Sequence, residues 1–173
     1  GKRTASIISS RGCQFKCNFC TAFVVFTRKP RMRSVENVTS EIQHLKDNYS
    51  IDEIFFEDDQ LFAKRARSLA LLDALSKFNL YWDTPNGISP WLLTDEIIDK
   101  MAKSGCYRVN LAIESGVQEV LNDIINKPVK LKDIPRIVKK IKSHSMEVCT
   151  FLVVGNISWN KIETLSQIKE SFR

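Results

Sequence analysis

The run Thr4-Ala5-Ser6-Ile7-Ile8-Ser9 leads straight into Ser10-Arg11-Gly12-Cys13-Gln14-Phe15-Lys16-Cys17-Asn18-Phe19-Cys20. Residues Thr4 to Ser9 read as a short β-strand, and the loop that follows extends to about Arg33. Its cysteines, Cys13, Cys17 and Cys20, are spaced C-x3-C-x2-C. Three thiolates in one short loop can hold three irons of a cubane and leave the fourth open to an exogenous ligand, and thiolate ligation is what iron–sulfur chemistry requires. Gly12 permits the tight turn into the loop. The alternative is a zinc knuckle completed by His44, His144, Cys106 or Cys149, none of which falls at usual zinc spacing from the triplet. With five cysteines, three of them clustered, the chain makes a poor disulfide framework and points to a reducing, cytoplasmic compartment. Cys106 and Cys149 read as small buried apolar residues.

Outward from this loop, strands and helices alternate. Ser34 is placed to cap a helix with Glu36 in its first turn and Val38, Ile42 and Leu45 along one stripe. Ile51 to Phe56 has the pattern of a buried strand. Phe62, Ala66, Leu69, Leu72 and Leu75 mark a second helix, and Leu80 to Asp83 a third strand ended by the turn signal Pro85-Asn86-Gly87. Thr94 caps a helix carrying Ile97, Ile98 and Met101, which Gly105 terminates. Val109, Leu111 and Ile113 alternate as a fourth strand, and Ser115 with Gln118 has capping-box spacing for the next helix. A helix from Asp133, with Pro135 in its first turn, carries Ile137, Val138 and Ile141. Val148 to Val154 is a fifth strand, and Ile162, Leu165 and Ile168 belong to a final helix running to the C-terminus.

Strands recur at roughly 25 to 45 residues, so each connection has room for a crossover helix, and such units build a parallel sheet with right-handed connections. The 173 residues correspond to one domain but fall short of the roughly 250 of a complete eight-fold barrel. The fold class is therefore α/β: a partial TIM-like barrel of about five β-α units, its curved parallel sheet covered by helices. At 43% hydrophobic and 27% charged residues the composition is that of a folded domain. No apolar run approaches the roughly 18 residues of a membrane helix. The 26 Lys plus Arg exceed the 20 Asp plus Glu, and the net charge of +6 is compatible with an anionic partner without naming one.

The cysteine spacing, with Phe19 before the last cysteine, resembles that of the radical S-adenosylmethionine superfamily. The likeness covers nearly the whole chain and is closest to the branch whose members often carry a cobalamin-binding domain. Ser10 to Cys20 resembles that branch's opening, with Gln14 in place of a proline. Arg31-Met32-Arg33-Ser34, Phe56-Glu57-Asp58-Asp59 followed by Phe62, Pro85-Asn86-Gly87-Ile88, Ser104-Gly105-Cys106, Ala112-Ile113-Glu114-Ser115-Gly116 and Asn126-Lys127 fall where the branch has similar patterns. The resemblance implies a [4Fe-4S] cluster on Cys13, Cys17 and Cys20 whose free iron takes S-adenosylmethionine. Reductive cleavage of that cofactor then gives a 5'-deoxyadenosyl radical that abstracts hydrogen from a substrate. It further implies one radical SAM core domain over residues 1–173, an incomplete fragment of a longer protein lacking its last β-α unit (the family core has six) and flanking domains.

Site residues are carried over on the same basis. Asp58 and Asp59 fall where the family faces the cofactor's ammonium, with Asp58 ahead and with the alternative that Asp59 caps a helix starting near Leu61. Glu114 would accept ribose hydroxyls or hold a basic residue, Ser115 follows it, and Gly155 ends the fifth strand where the backbone passes the adenine. Phe15, Phe19, Phe23 and Phe26 are expected to shield the cluster. After Gly155 the sequence departs from the family: Asn156-Ile157-Ser158-Trp159-Asn160 lacks the proline, second glycine and glutamate. Arg28, Lys29, Arg31 and Arg33 beside the loop could meet an anionic substrate or an acidic reductant such as flavodoxin or ferredoxin. Cobalamin would enter through a domain absent from this chain. The competing readings are a tRNA-modifying radical enzyme of the methylthiotransferase kind, with a nucleic-acid partner less favoured, and a degenerate, non-enzymatic iron–sulfur module.

Overall fold

The computed structural model describes residues 1–172. Three strands, β1 (Thr4–Ile7), β4 (Glu53–Phe56) and β5 (Tyr81–Asp83), pair in parallel in the order β1-β4-β5. Two more, β6 (Arg108–Glu114) and β7 (Glu147–Leu152), form a second parallel pair. Between them, single parallel bridges join Trp82 to Cys106 and Ile88 to Leu111. The five strands thus follow one another in chain order as an open, partial barrel, the architecture expected from the sequence. A short antiparallel pair, β2 (Ser10–Arg11) with β3 (Arg31–Met32), closes the base of the cysteine loop.

A short helix, α1 (Ala22–Phe26), lies within the cysteine loop, and longer ones cover the outer face: α2 (Val35–Tyr49), α3 (Arg65–Leu75), α4 (Asp95–Lys103) and α5 (Ile134–Lys142). Ser34 and Thr94 cap α2 and α4 as their positions predict, their hydroxyls accepting the backbone N–H of Asn37 and Ile97. Strand residues Ile54, Phe56, Trp82, Val109 and Leu111 meet helix residues Ile42, Leu72, Ile97, Met101 and Ile141 in one core. Fully burying a side chain such as Ile42 or Ile97 stabilises by about 1.5–3 kcal/mol. Tyr81 and Trp82 split as alternation requires, the first exposed and the second buried with its indole N–H on the Ser104 carbonyl at 3.0 Å. Gly105 allows this close packing: a Cβ there would lie 2.0 Å from the Leu80 carbonyl oxygen.

The inner face is polar. Asp83, fully buried, accepts from Arg108 Nε at 2.8 Å and from Asn110 Nδ2 at 2.7 Å. These bonds tie β5 to β6 where backbone pairing is sparse. Asp58 does similar work between β1 and β4. Its Oδ2 accepts the Ser9 N–H at 2.9 Å, and its Oδ1 accepts the hydroxyls of Ser9 at 2.8 Å and Ser10 at 2.5 Å.

Several boundaries differ from expectation. Leu61 and Phe62 are buried in a turn ahead of α3, so no helix starts near Leu61 for Asp59 to cap. The Ser115–Gln118 capping box does not form. Ser115 Oγ accepts the Val117 N–H, and the Gln118 side chain instead pins the following loop through Val129 O and Leu131 N. The segment is then π-helical over Val120–Ile125. The last helix, α6 (Leu165–Glu170), is shorter than predicted. It starts at a capping box of Thr164 and Gln167, while Ile162 bridges back to Ile157. Arg173, the end of that predicted helix, lies outside the described residues. Cys106 is buried as expected but Cys149 is exposed, because β7 borders the sheet and most of its side chains face solvent.

Removing the Asp58 carboxylate leaves the Ser9 N–H and hydroxyl without an acceptor in a buried site, and leaves the Ser10 hydroxyl only the Gln60 carbonyl at 3.4 Å. Asp58→Ala should destabilise the chain by about 2 kcal/mol or more, read by chemical denaturation. Unchanged stability with weakened cofactor binding would mark Asp58 as a ligand-facing group instead.

Candidate functional site: a thiol-lined cavity at the strand ends

The loop after β1 is built around Gly12. Its φ of +89° is left-handed, and a Cβ there would press on the carbonyl oxygens of Phe26, Thr27 and Lys29 at 3.1 to 3.3 Å. Its N–H donates to Asp59 Oδ2 at 2.7 Å. Beyond it the loop is clamped to the far side of the sheet. Asn18 donates its backbone N–H to Ile125 O at 2.8 Å and its side-chain amide to Ile124 O at 2.6 Å, and Asn126 Nδ2 donates to Lys16 O at 3.2 Å. Asn126 holds a left-handed φ of 58°, a conformation asparagine accepts more readily than most residues.

These constraints leave Cys13, Cys17 and Cys20, all free thiols, lining one cavity of about 160 Å³. It sits at the carboxyl ends of the strands, where open α/β sheets collect their ligands. Phe15 and Phe19 form part of its wall, with Asp59 and Gln60 from the turn after β4 and Glu114 from the end of β6. Trp91 stands between this cavity and a neighbouring cleft of about 210 Å³. Its ring meets Phe15 edge-on, centroids 4.8 Å apart.

Glu114 does hold a basic residue. Lys127 Nζ donates to its Oε1 at 2.7 Å, with both side chains buried. Glu114 has a φ of +76°, a strained conformation for a side-chain-bearing residue and one that concentrates at functional sites. Burial pushes the thiols of Cys13 and Cys17 above their ordinary range. At Cys17 the positive charge of Lys127 acts against that shift, whereas Cys13, Cys20 and Glu114 add to it.

Other predicted residues lie elsewhere. Asp58 is turned into its serine cluster and does not line the cavity. Ser115 is buried against Ser171, their hydroxyls 3.1 Å apart. Gly155 is exposed, with open space where a side chain would stand. Phe23 points outward beneath the Arg28 guanidinium at 4.1 Å. In the basic run, Arg28 is committed to Phe15 O and Arg33 to Ile8 O and Glu41, leaving Lys29 and Arg31 on the surface. Lys127, Gln60, Trp91 and Asn18 were not singled out as site residues from sequence. Only the adjacency of Asn126 and Lys127 carried a signal, as a family-like turn.

Among the described residues, no group of three or more His, Cys, Asp or Glu side chains closes on a point that one metal ion could occupy. A cubane asks for a different arrangement, one thiolate on each of three irons, and three free thiols around one cavity supply that donor set.

A cysteine-bearing loop at the mouth of an open parallel β/α barrel marks the chain as an α/β enzyme core. The chain belongs to the Radical SAM superfamily, whose match spans residues 7–168. It is 36% identical over 174 residues to cytidylyl-2-hydroxyethylphosphonate methyltransferase of Streptomyces wedmorensis, covering 99% of this chain and 33% of that protein. It is 28% identical over 165 residues to the uncharacterized methyltransferase PH0819 of Pyrococcus horikoshii, covering 94% and 35%. Among solved structures, the radical S-adenosylmethionine methyltransferase TsrM of Kitasatospora setae superposes with a TM-score of 0.85 at 17% identity, covering 99% and 33%. OxsB, a cobalamin-dependent S-adenosylmethionine radical enzyme, gives 0.72 at 17% identity, covering 96% and 25%. The chain spans about a third of the length of the curated relatives it matches. No helix among the described residues is long and apolar enough to cross a membrane.

Because burial raises the Cys13 and Cys17 thiols, deprotonation must accompany metal loading. Iron uptake by the apo chain should therefore increase as pH is raised, with the rise lying above the range of a solvent-exposed thiol. Uptake that does not change with pH would show that these thiols are not the ligands.

Proposed function

We propose that this chain is the core of a radical S-adenosylmethionine enzyme, with Cys13, Cys17 and Cys20 holding a [4Fe-4S] cluster. The observation that carries the reading is that all three thiols of the C-x3-C-x2-C loop open onto one cavity at the carboxyl ends of the strands. When bound, the cluster and S-adenosylmethionine would supply one-electron cleavage of a sulfonium bond, chemistry that no protein side chain provides. The chain's own residues bind, orient and exclude. Asp59, tied to Gly12, places a carboxylate oxygen near the loop to receive the cofactor's ammonium. Glu114, braced by Lys127, is the acceptor on the opposite wall. Phe15, Phe19 and Trp91 keep water from the cavity. Asp58 supports this arrangement from outside it by holding Ser9 and Ser10.

The reaction class that fits best is methyl transfer with cobalamin. Its support is the likeness to the Streptomyces wedmorensis and Pyrococcus horikoshii proteins, both named methyltransferases, and the shared fold with TsrM and OxsB. Cobalamin would bind a part of the whole protein other than these residues. The electron would come from a flavodoxin- or ferredoxin-like reductant, which the exposed Lys29 and Arg31 beside the loop favour.

Anaerobic reconstitution should give about four irons and four sulfides per chain. Cys13→Ala, Cys17→Ala or Cys20→Ala should each abolish the cubane, whereas Cys106→Ala and Cys149→Ala should retain it. S-adenosylmethionine should alter the paramagnetic resonance spectrum of the reduced cluster, less so in Asp59→Asn. Stoichiometric zinc with no reconstituted iron would overturn the reading.

A further inference from the structure

Lys127 is the one lysine or arginine buried among the described residues. Its ammonium is 2.7 Å from Glu114 Oε1 and 5.7 Å from the Trp91 ring centroid, and both Lys127 and Glu114 line the cavity of the three cysteines. The position is fixed from both sides. The Asn18 and Asn126 bonds hold the cysteine loop to the segment that ends in Lys127, and the Lys127 N–H donates to Leu121 O at 2.8 Å. Folding does not call for a charge here. The π-helical segment is anchored by buried Val120, Leu121, Ile124 and Ile125, and a buried ion pair adds little net stability because desolvating two charges offsets their attraction. The pair nevertheless faces the thiols across one cavity. Both side chains line the same cavity as the three sulfurs, so their opposite charges act in opposite senses on any charge placed there.

We propose that Lys127 and Glu114 form an opposed-charge pair that sets the reduction potential of the cluster on Cys13, Cys17 and Cys20, Lys127 favouring the reduced form and Glu114 limiting that preference. The inference rests on the cluster proposed above. Reduction places one electron on the cluster, delivered by a protein reductant in the cell or by dithionite in the cuvette, and no bond to the protein forms or breaks. The added negative charge is stabilised by a buried ammonium and destabilised by a buried carboxylate, and a shielded wall screens neither as water would. Lys127 is thus a positioning residue for charge, acting on the cluster through space.

The test is a redox titration of the anaerobically reconstituted protein with dithionite and dye mediators, followed by paramagnetic resonance without S-adenosylmethionine, with iron and sulfide measured on every sample. Lys127→Met should move the midpoint potential to more negative values, Glu114→Gln to more positive values, and Lys127→Arg should stay near the parent. Midpoints that do not move, or that move in the same direction in Lys127→Met and Glu114→Gln, overturn the proposal. If Lys127→Met does not hold iron, Glu114→Gln decides alone: a positive shift supports the proposal, and no shift or a negative one overturns it. Parent protein that takes up no iron overturns the cluster reading and this inference together, whereas a normal cluster with an unmoved potential overturns only this inference.

Discussion

Two adjacent carboxylates at the end of β4 hold the cysteine loop where it can act. Asp58 gathers the backbone and hydroxyls of Ser9 and Ser10, and Asp59 takes the N–H of Gly12. The first fixes where β1 ends, and the second fixes where the loop turns. Once those points are set, Asn18 and Asn126 need only close the other end, and the three thiols are left facing a common space. The partnership explains why one aspartate is buried under serines while its neighbour borders the cavity.

The sheet was legible in the sequence because its outer face obeys simple rules. Ile54, Phe56, Val109 and Leu111 alternate or cluster as buried strands do, and Ser34 and Thr94 sit where helices begin. The cysteine loop was legible for a different reason: thiols at that spacing have few other uses. Local motifs misled where a tertiary partner offered a better bond. Ser115 and Gln118 have the spacing of a cap, yet Gln118 satisfies the backbone of Val129 and Leu131, which no local reading could place beside it. Cys149 looked buried because its strand is apolar in composition, but burial depends on what lies across the sheet. Lys127 carried a signal only through its adjacency to Asn126, since its role comes from Glu114, thirteen residues earlier in the chain and brought close by the segment after β6.

The two faces of the sheet carry different chemistry. Outside, apolar side chains from strands and helices supply the stability of the domain. Inside, Asp83, Arg108 and Asn110 form a hydrogen-bonded seam across the weakly paired junction of β5 and β6. A filled eight-fold barrel packs its interior with branched side chains, whereas this open one keeps polar groups there. Such an interior can accept a ligand without first giving up a hydrophobic core.

The π-helical segment carries a consequence for how this region tolerates change in length. A π-helical turn holds one residue more than an α-helical turn, so removing one residue between Val120 and Ile125 would let ordinary helical bonding form while the chain beyond keeps nearly its direction. Asn126 would keep its left-handed position, and the Lys127 ammonium its approach to Glu114. Asn122 and Asp123 are exposed and accept only surface bonds, from Gln118 Nε2 at 3.0 Å and Lys161 Nζ at 2.6 Å, so replacing either costs little. A single deletion is therefore absorbed more readily here than in α2 or α4, where it would rotate everything beyond by about 100°.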